Sequence, residues 1–148
     1  MGMNWKEQLC LQMRDLRIDK DIISDTIKDF VRDYNHFCVV HDVVCQRAIS
    51  DGCNYIVVGD RYKIKISYIY NEGEEVSFSL INIEKETLCA NWILLSIEKG
   101  LFVVKRFGNN SNKGEVICKS NQVNCLLIDM IFNHLFLLNG LIAETEFI

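Results

Sequence analysis

Thiols and an imidazole crowd one stretch of the chain, FCVVHDVVCQRAISDGC, residues 37–53. It holds Cys38, His41, Cys45 and Cys53 around Asp42. Thiolate and neutral imidazole are the usual ligands of zinc, and a thiol beside a base is the usual nucleophile of a cysteine enzyme. On one helix, Cys38, His41 and Cys45 stand at i, i+3 and i+7 and share a face. Zinc needs its sulfurs within about 4 Å of each other. At the rise of an α-helix, seven residues separate the two cysteines by about 10 Å along the axis. One regular helix therefore brings only one of the pairs Cys38/His41 and His41/Cys45 to an ion, and no CxxC supplies the rest. No Lys or Arg stands beside Cys53 to favour its thiolate. The spacing favours a structural reading, with cysteine as a small apolar filler and His41 as the polar member of a buried seam.

Two other groups invite the same question. Asp129, Asn133 and His134 interrupt the apolar run CLLIDMIFNHLFLLNG, residues 125–140. A carboxylate buried there needs a partner, which suits an anchoring role better than acid–base catalysis. Arg61, Lys63 and Lys65 form a basic stripe, and Lys105, Arg106, Lys113 and Lys119 a second patch. The alternation of RYKIKISYIY puts Tyr62, Tyr68 and Tyr70 on the face opposite the lysines. That parts the aromatics from the cations a nucleic acid would need. No GxGxxG, GK[ST], HExxH or GxSxG is present, so dinucleotide, P-loop, zinc-protease and hydrolase chemistry lose support.

The elements that would position these residues read as follows. Trp5, Leu9, Met13 and Leu16 predict a short amphipathic helix over 4–16. Asp19 is a candidate N-cap. Ile23, Ile27, Phe30, Tyr34, Phe37, His41, Val44 and Ala48 repeat in steps of four and three, predicting one long helix that Gly52 stops, with a break near Asn35 or His36 left open. The strands NYIVV, RYKIKISYIY and EVSFSLINI follow. Joining Tyr68 to Phe78 and Ile66 to Leu80 unites their apolar faces across a loop of Glu72, Gly73 and Glu74. Residues 86–98 fit either a helix or a buried strand, and the strand is preferred. LFVVKRF and GEVICK predict a hairpin. A helix over 121–139, capped by Ser120 or Asn121 and stopped by Gly140, is apolar on most sides and should be buried. The expectation is one α+β domain over 1–148: a short and a long helix packed on a mainly antiparallel sheet of about five strands, with a buried C-terminal helix.

With 148 residues the chain can bury a sizeable core. A net charge of −4 and a pI near 5.4 argue against nucleic acid as the partner. Seven scattered cysteines do not suggest a disulfide scaffold, and the N-terminus lacks the layout of a signal peptide. The apolar run 125–140 is too short to span a bilayer. A cytoplasmic protein without cofactor or metal, of bacterial or viral origin, is expected. Its function is expected to be non-enzymatic: an immunity or antitoxin-type neutraliser, or a phage or mobile-element inhibitor. It would bind a basic toxin or host factor by electrostatic complementarity. The candidate contact residues are Asp21, Asp25 and Asp29 on the second helix and Glu72, Glu74 and Glu75 around the sheet. A small cysteine/histidine enzyme or zinc protein is the alternative, and a homodimer stays open. By element order alone the chain is also loosely similar to the small acidic chaperones of type III secretion systems, which would imply chaperoning of a secreted protein.

Overall fold

The structure is a computed structural model that describes residues 4–69, 74–108 and 113–143. Helices α1 (Trp5–Gln12) and α2 (Lys20–Val40) open the chain. A short 3-10 helix, Val44–Gln46, leads into strands β1 (Ala48–Asp51), β2 (Tyr55–Val58), β3 (Tyr62–Ile69), β4 (Glu75–Asn82), β5 (Thr87–Leu88), β6 (Trp92–Glu98), β7 (Leu101–Phe107) and β8 (Glu115–Ser120). Helix α3 (Cys125–Leu138) closes it. The class is α+β. The sheet has eight strands rather than five, in the order β1-β2-β3-β4-β6-β7-β8, with β5 beside β4, and every described pairing is antiparallel. None of the helices among the described residues is long and apolar enough to cross a membrane.

Both long helices lie on one face of the sheet. Alternation sends Ile56, Val58, Ile64, Ile66, Val76, Phe78, Leu80, Ile93, Leu95, Phe102 and Val104 to that side, where all are buried. Helix α2 contributes Ile23 and Ile27, and α3 contributes Leu127, Ile128, Ile131, Phe132 and Leu135. The Phe132 ring meets Phe30 edge-on at 5.6 Å and Phe78 at 5.9 Å, tying α2, α3 and β4 together. Burial of α3 agrees with its apolar composition.

Four expectations need correction. The long helix does not reach Gly52. It ends at Val40, with Asp42 in the left-handed region at φ 59°. Val43 N–H donates to Cys38 O at 2.8 Å and Asp42 N–H to Val39 O at 3.3 Å, which is the Schellman arrangement with aspartate where glycine is usual. Residues 48–51 then pair as β1 with β2 instead of continuing the helix. Second, α1 covers only Trp5–Gln12, and Trp5, Leu9 and Met13 are exposed rather than buried. Third, β3 and β4 pair Ile66 with Phe78 and Tyr68 with Val76, two residues away from the expected register. A slip of two keeps every side chain on its own face, so the apolar sets still meet. Glu74 stays outside the strand, where its carboxylate accepts the Ile18 N–H and pairs with Arg17 at 3.5 Å. Tyr70, Glu72 and Gly73 lie outside the described residues. Fourth, α3 starts at Cys125, where the Asn124 side chain accepts the Leu127 N–H at 3.0 Å, so neither Ser120 nor Asn121 is its cap.

Other expectations hold. Asp19 caps α2 by accepting the Asp21 N–H at 2.8 Å. The 86–98 stretch is strand, as β5 and β6. Gly140, at φ 72°, ends α3 with the same pair of bonds that ends α2.

Candidate functional site

The helix end at Val40 disperses the cysteine and histidine cluster. Cys38 is buried at the last turn, and its thiol donates to Gln46 O at 3.7 Å. His41 is the exposed C-cap residue of α2, not a seam residue. Cys45 is exposed in the 3-10 helix, and Cys53 lies half-buried in the β1–β2 turn. Among the described residues no group of three or more His, Cys, Asp or Glu comes together to hold a metal ion. Asp129 and Asn133 are exposed on α3, which corrects the expectation of a buried carboxylate. The His134 ring is tied to its own helix, with Nδ1 at 2.9 Å from Met130 O.

The helix end creates a surface in place of the cluster. Phe37 is 58% exposed, Val39 65%, Val40 59%, Val43 42% and Val44 43%. Five large apolar side chains thus stand in water within eight residues, where isolated ones would need no explanation. Ile49, also exposed, follows on the edge strand β1, on the face away from the helices. Beside Phe37, the side chains of Arg32, Asp33 and His36 line an open cleft of about 350 Å³. The rim carries Asp33 and Asp42. Asp29 and Asp33 both share Arg32, at 3.2 Å each.

The acidic residues singled out by sequence separate into different roles. Asp21 and Asp25 are exposed in the first turns of α2, at the end opposite this surface. Asp29 is half-exposed and pairs with Arg32. Glu74 is largely covered and holds the α1–α2 connection. Glu75 begins β4 opposite Ile69 and Ser96, on the face away from α2 and α3.

That outer face differs from the sequence picture. Tyr62 and Tyr68 do point into the core, where Tyr68 donates to Cys53 O at 2.8 Å. Tyr55, however, lies opposite Lys65 and shares the lysine face, and the Lys63 ammonium sits 4.2 Å from its ring centre. Trp92 of β6 and Phe107 of β7 stack at 4.4 Å on the same face, beyond β4. Sequence alternation within β3 could not reveal these neighbours, because they come from strands whose order only the fold supplies.

A second cavity, of about 360 Å³, lies where α1 meets the β6–β7 hairpin. Gln8 and Gln12 line one side, Glu98, Lys99, Leu101 and Val103 another, and Lys119 of β8 the third. Sequence reasoning missed it. Composition groups Lys119 only with a charge patch, and nothing in the spacing ties α1 to a turn near residue 100.

No family model matches the chain, and neither a curated protein nor a solved structure matches it. What the structure defines is an α+β scaffold whose sheet has one face covered by α2 and α3 and the other met by α1 only near β6–β8, with an apolar, acid-rimmed surface at the end of α2.

Proposed function

We propose that this chain is a non-enzymatic protein-binding module, of the neutraliser or inhibitor kind, that docks its partner on the end of α2. The observation that carries this reading is the exposure of Phe37, Val39, Val40, Val43 and Val44 in a single eight-residue stretch. Folding gains nothing from apolar groups left in water, whereas an interface core is built from such groups. Phe37 beside its cleft is the natural anchor pair for an aromatic or aliphatic side chain of the partner. Asp33 and Asp42 favour a partner that is basic around an apolar centre, by steering and by register. The reading moves the energetic centre from the acidic residues to the valines and leaves Asp33 and Asp42 as rim. A cytoplasmic setting suits seven cysteines that are all free.

The test places a photo-crosslinking residue at Val40, with a control at Lys65 on the open sheet face, in cells that express the chain. A partner captured only from Val40 is then titrated against Val40→Glu. Val40 is exposed, so the substitution leaves the fold intact. An affinity loss of about tenfold or more is expected, since one interface anchor is worth at least about 1.4 kcal/mol. Equal capture at both positions, or unchanged affinity of the variant, refutes the reading.

A further inference from the structure

The cavity between α1 and the β6–β7 hairpin has three features that the protein-binding reading does not use. The first is the orientation of α1. Its apolar residues Trp5, Leu9 and Met13 are exposed, the half-buried Leu11 meets the hairpin, and Gln8 and Gln12 on the same side line the cavity. Its position is set by close fit. Arg14 donates to Gly100 O at 2.7 Å and to Asn121 O at 3.0 Å. A side chain at Gly100 would stand 2.0 Å from Leu11 O, so the backbones of helix end and hairpin touch.

The second is Lys99. The hairpin turn is two residues long, with Glu98 opposite Leu101, and both turn residues have positive φ: Lys99 at 51° and Gly100 at 74°. Such a turn favours Asn-Gly or Gly-Gly. Lysine is uncommon in the left-handed region, which the described residues otherwise reach without glycine only at Asp42 and Glu86. At this turn the lysine side chain lines the cavity.

The third is charge. In a chain of net charge −4, the cavity is lined by two ammonium groups, Lys99 and Lys119, and one carboxylate, Glu98. That carboxylate already has a cation of its own, Lys105 at 2.9 Å. Leu101 and Val103 supply an apolar wall. The neighbouring Ser96, paired with Val103 across the ladder, has a buried hydroxyl with no hydrogen-bond partner among the described residues.

We infer that this cavity is a binding site for a small phosphate monoester. Two ammonium groups match a dianion, the Gln12 amide donates to a remaining oxygen, and the Leu101–Val103 wall takes the organic part. The volume lies at the lower end of the range for small-ligand pockets. The site is independent of the surface at the end of α2 and stands or falls without it.

Phenyl phosphate and inorganic phosphate serve as probes, titrated into the full chain and followed by backbone amide chemical shifts. Phenyl phosphate should saturate with a Kd below about 1 mM and bind more tightly than inorganic phosphate. The shifts should centre on residues 99–103 and 119, and affinity should fall with added salt. Lys119→Ala should weaken binding about tenfold. Lys99→Gly is the more discriminating variant. It relieves the turn, so the melting temperature should rise while binding weakens by a similar factor. Binding that survives both substitutions, shifts that centre elsewhere, or no saturation by about 10 mM each overturn the assignment.

Discussion

The side-chain amide of Asn35 pairs with both backbone groups of Ala48. Its Nδ2 donates to Ala48 O at 3.1 Å, and the Ala48 N–H donates to its Oδ1 at 2.7 Å. Ala48 begins β1, the edge strand of the sheet, and is buried. A carboxamide offers one donor and one acceptor in a plane, as a peptide group does. Asn35 therefore stands in for a further strand at this residue and fastens α2 to the sheet edge beside the proposed docking surface. It also occupies part of an edge that would otherwise invite pairing with another chain.

Removing that clip should be costly. Asn35→Ala leaves a buried N–H and a buried carbonyl without partners, and the expected loss is about 1–3 kcal/mol, read from urea unfolding. Asn35→Asp keeps the acceptor but sets a carboxylate against Ala48 O, so it should fall in the same range. A loss under about 0.5 kcal/mol for both would show that water replaces the amide freely.

Asn35 also shows what the sequence could and could not disclose. The apolar repeat runs through it, so a helix break near Asn35 or His36 could be neither placed nor excluded. The seam from Ile23 to Tyr34 was legible because apolar spacing is dictated by burial on the sheet. The end of α2 was not, because the chain stops the helix with Asp42. The end of α3 was legible, because there the same two hydrogen bonds surround Gly140. Face alternation in β3 and β4 survived an error of two in register because period two is blind to it. The cysteine cluster dissolved once the helix ended, and neither cavity nor exposed surface could be foreseen, since each joins residues distant in sequence or depends on that helix end.

The pair of helix ends makes a measurable contrast. Asp42 occupies the position that Gly140 fills on α3. Asp42→Gly should stabilise the fold by about 0.5–1 kcal/mol, and Asp42→Val should destabilise it by more, because a β-branched residue tolerates the left-handed region worst. Thermal and urea unfolding would record both. A destabilising glycine would mean that the Asp42 carboxylate holds the turn through its own contacts.

Gly100 and Gly140 share positive φ but not surroundings. An added methyl at Gly140 meets nothing within 4 Å, whereas at Gly100 it meets Leu11 O at 2.0 Å. Gly140→Ala should therefore cost only the backbone strain, about 1 kcal/mol. Gly100→Ala should cost more and release α1 from the hairpin. Limited proteolysis would show faster cutting between Trp5 and Arg14 in Gly100→Ala than in Gly140→Ala. Equal cutting in the two variants would mean that α1 does not depend on this approach.

The seven thiols should divide by burial. Cys10, Cys45 and Cys125 are exposed, and Cys38 is buried. Loss of solvent pushes the Cys89 and Cys118 thiols above the ordinary value of 9.0. The thiolate is the reacting form, so near neutral pH a disulfide reagent should consume the three exposed cysteines first. Cys89, Cys118 and Cys38 should follow slowly, at rates that rise with urea. The same shift has a consequence for stability. A thiol that holds its proton more firmly when folded favours the native state fully below about pH 9, and that contribution is lost as pH rises through the folded value. Cys118→Ser and Cys89→Ser should both flatten the fall in stability as pH rises above about 9. An unchanged slope in both variants would show that the two thiols ionise alike in the folded and unfolded chain.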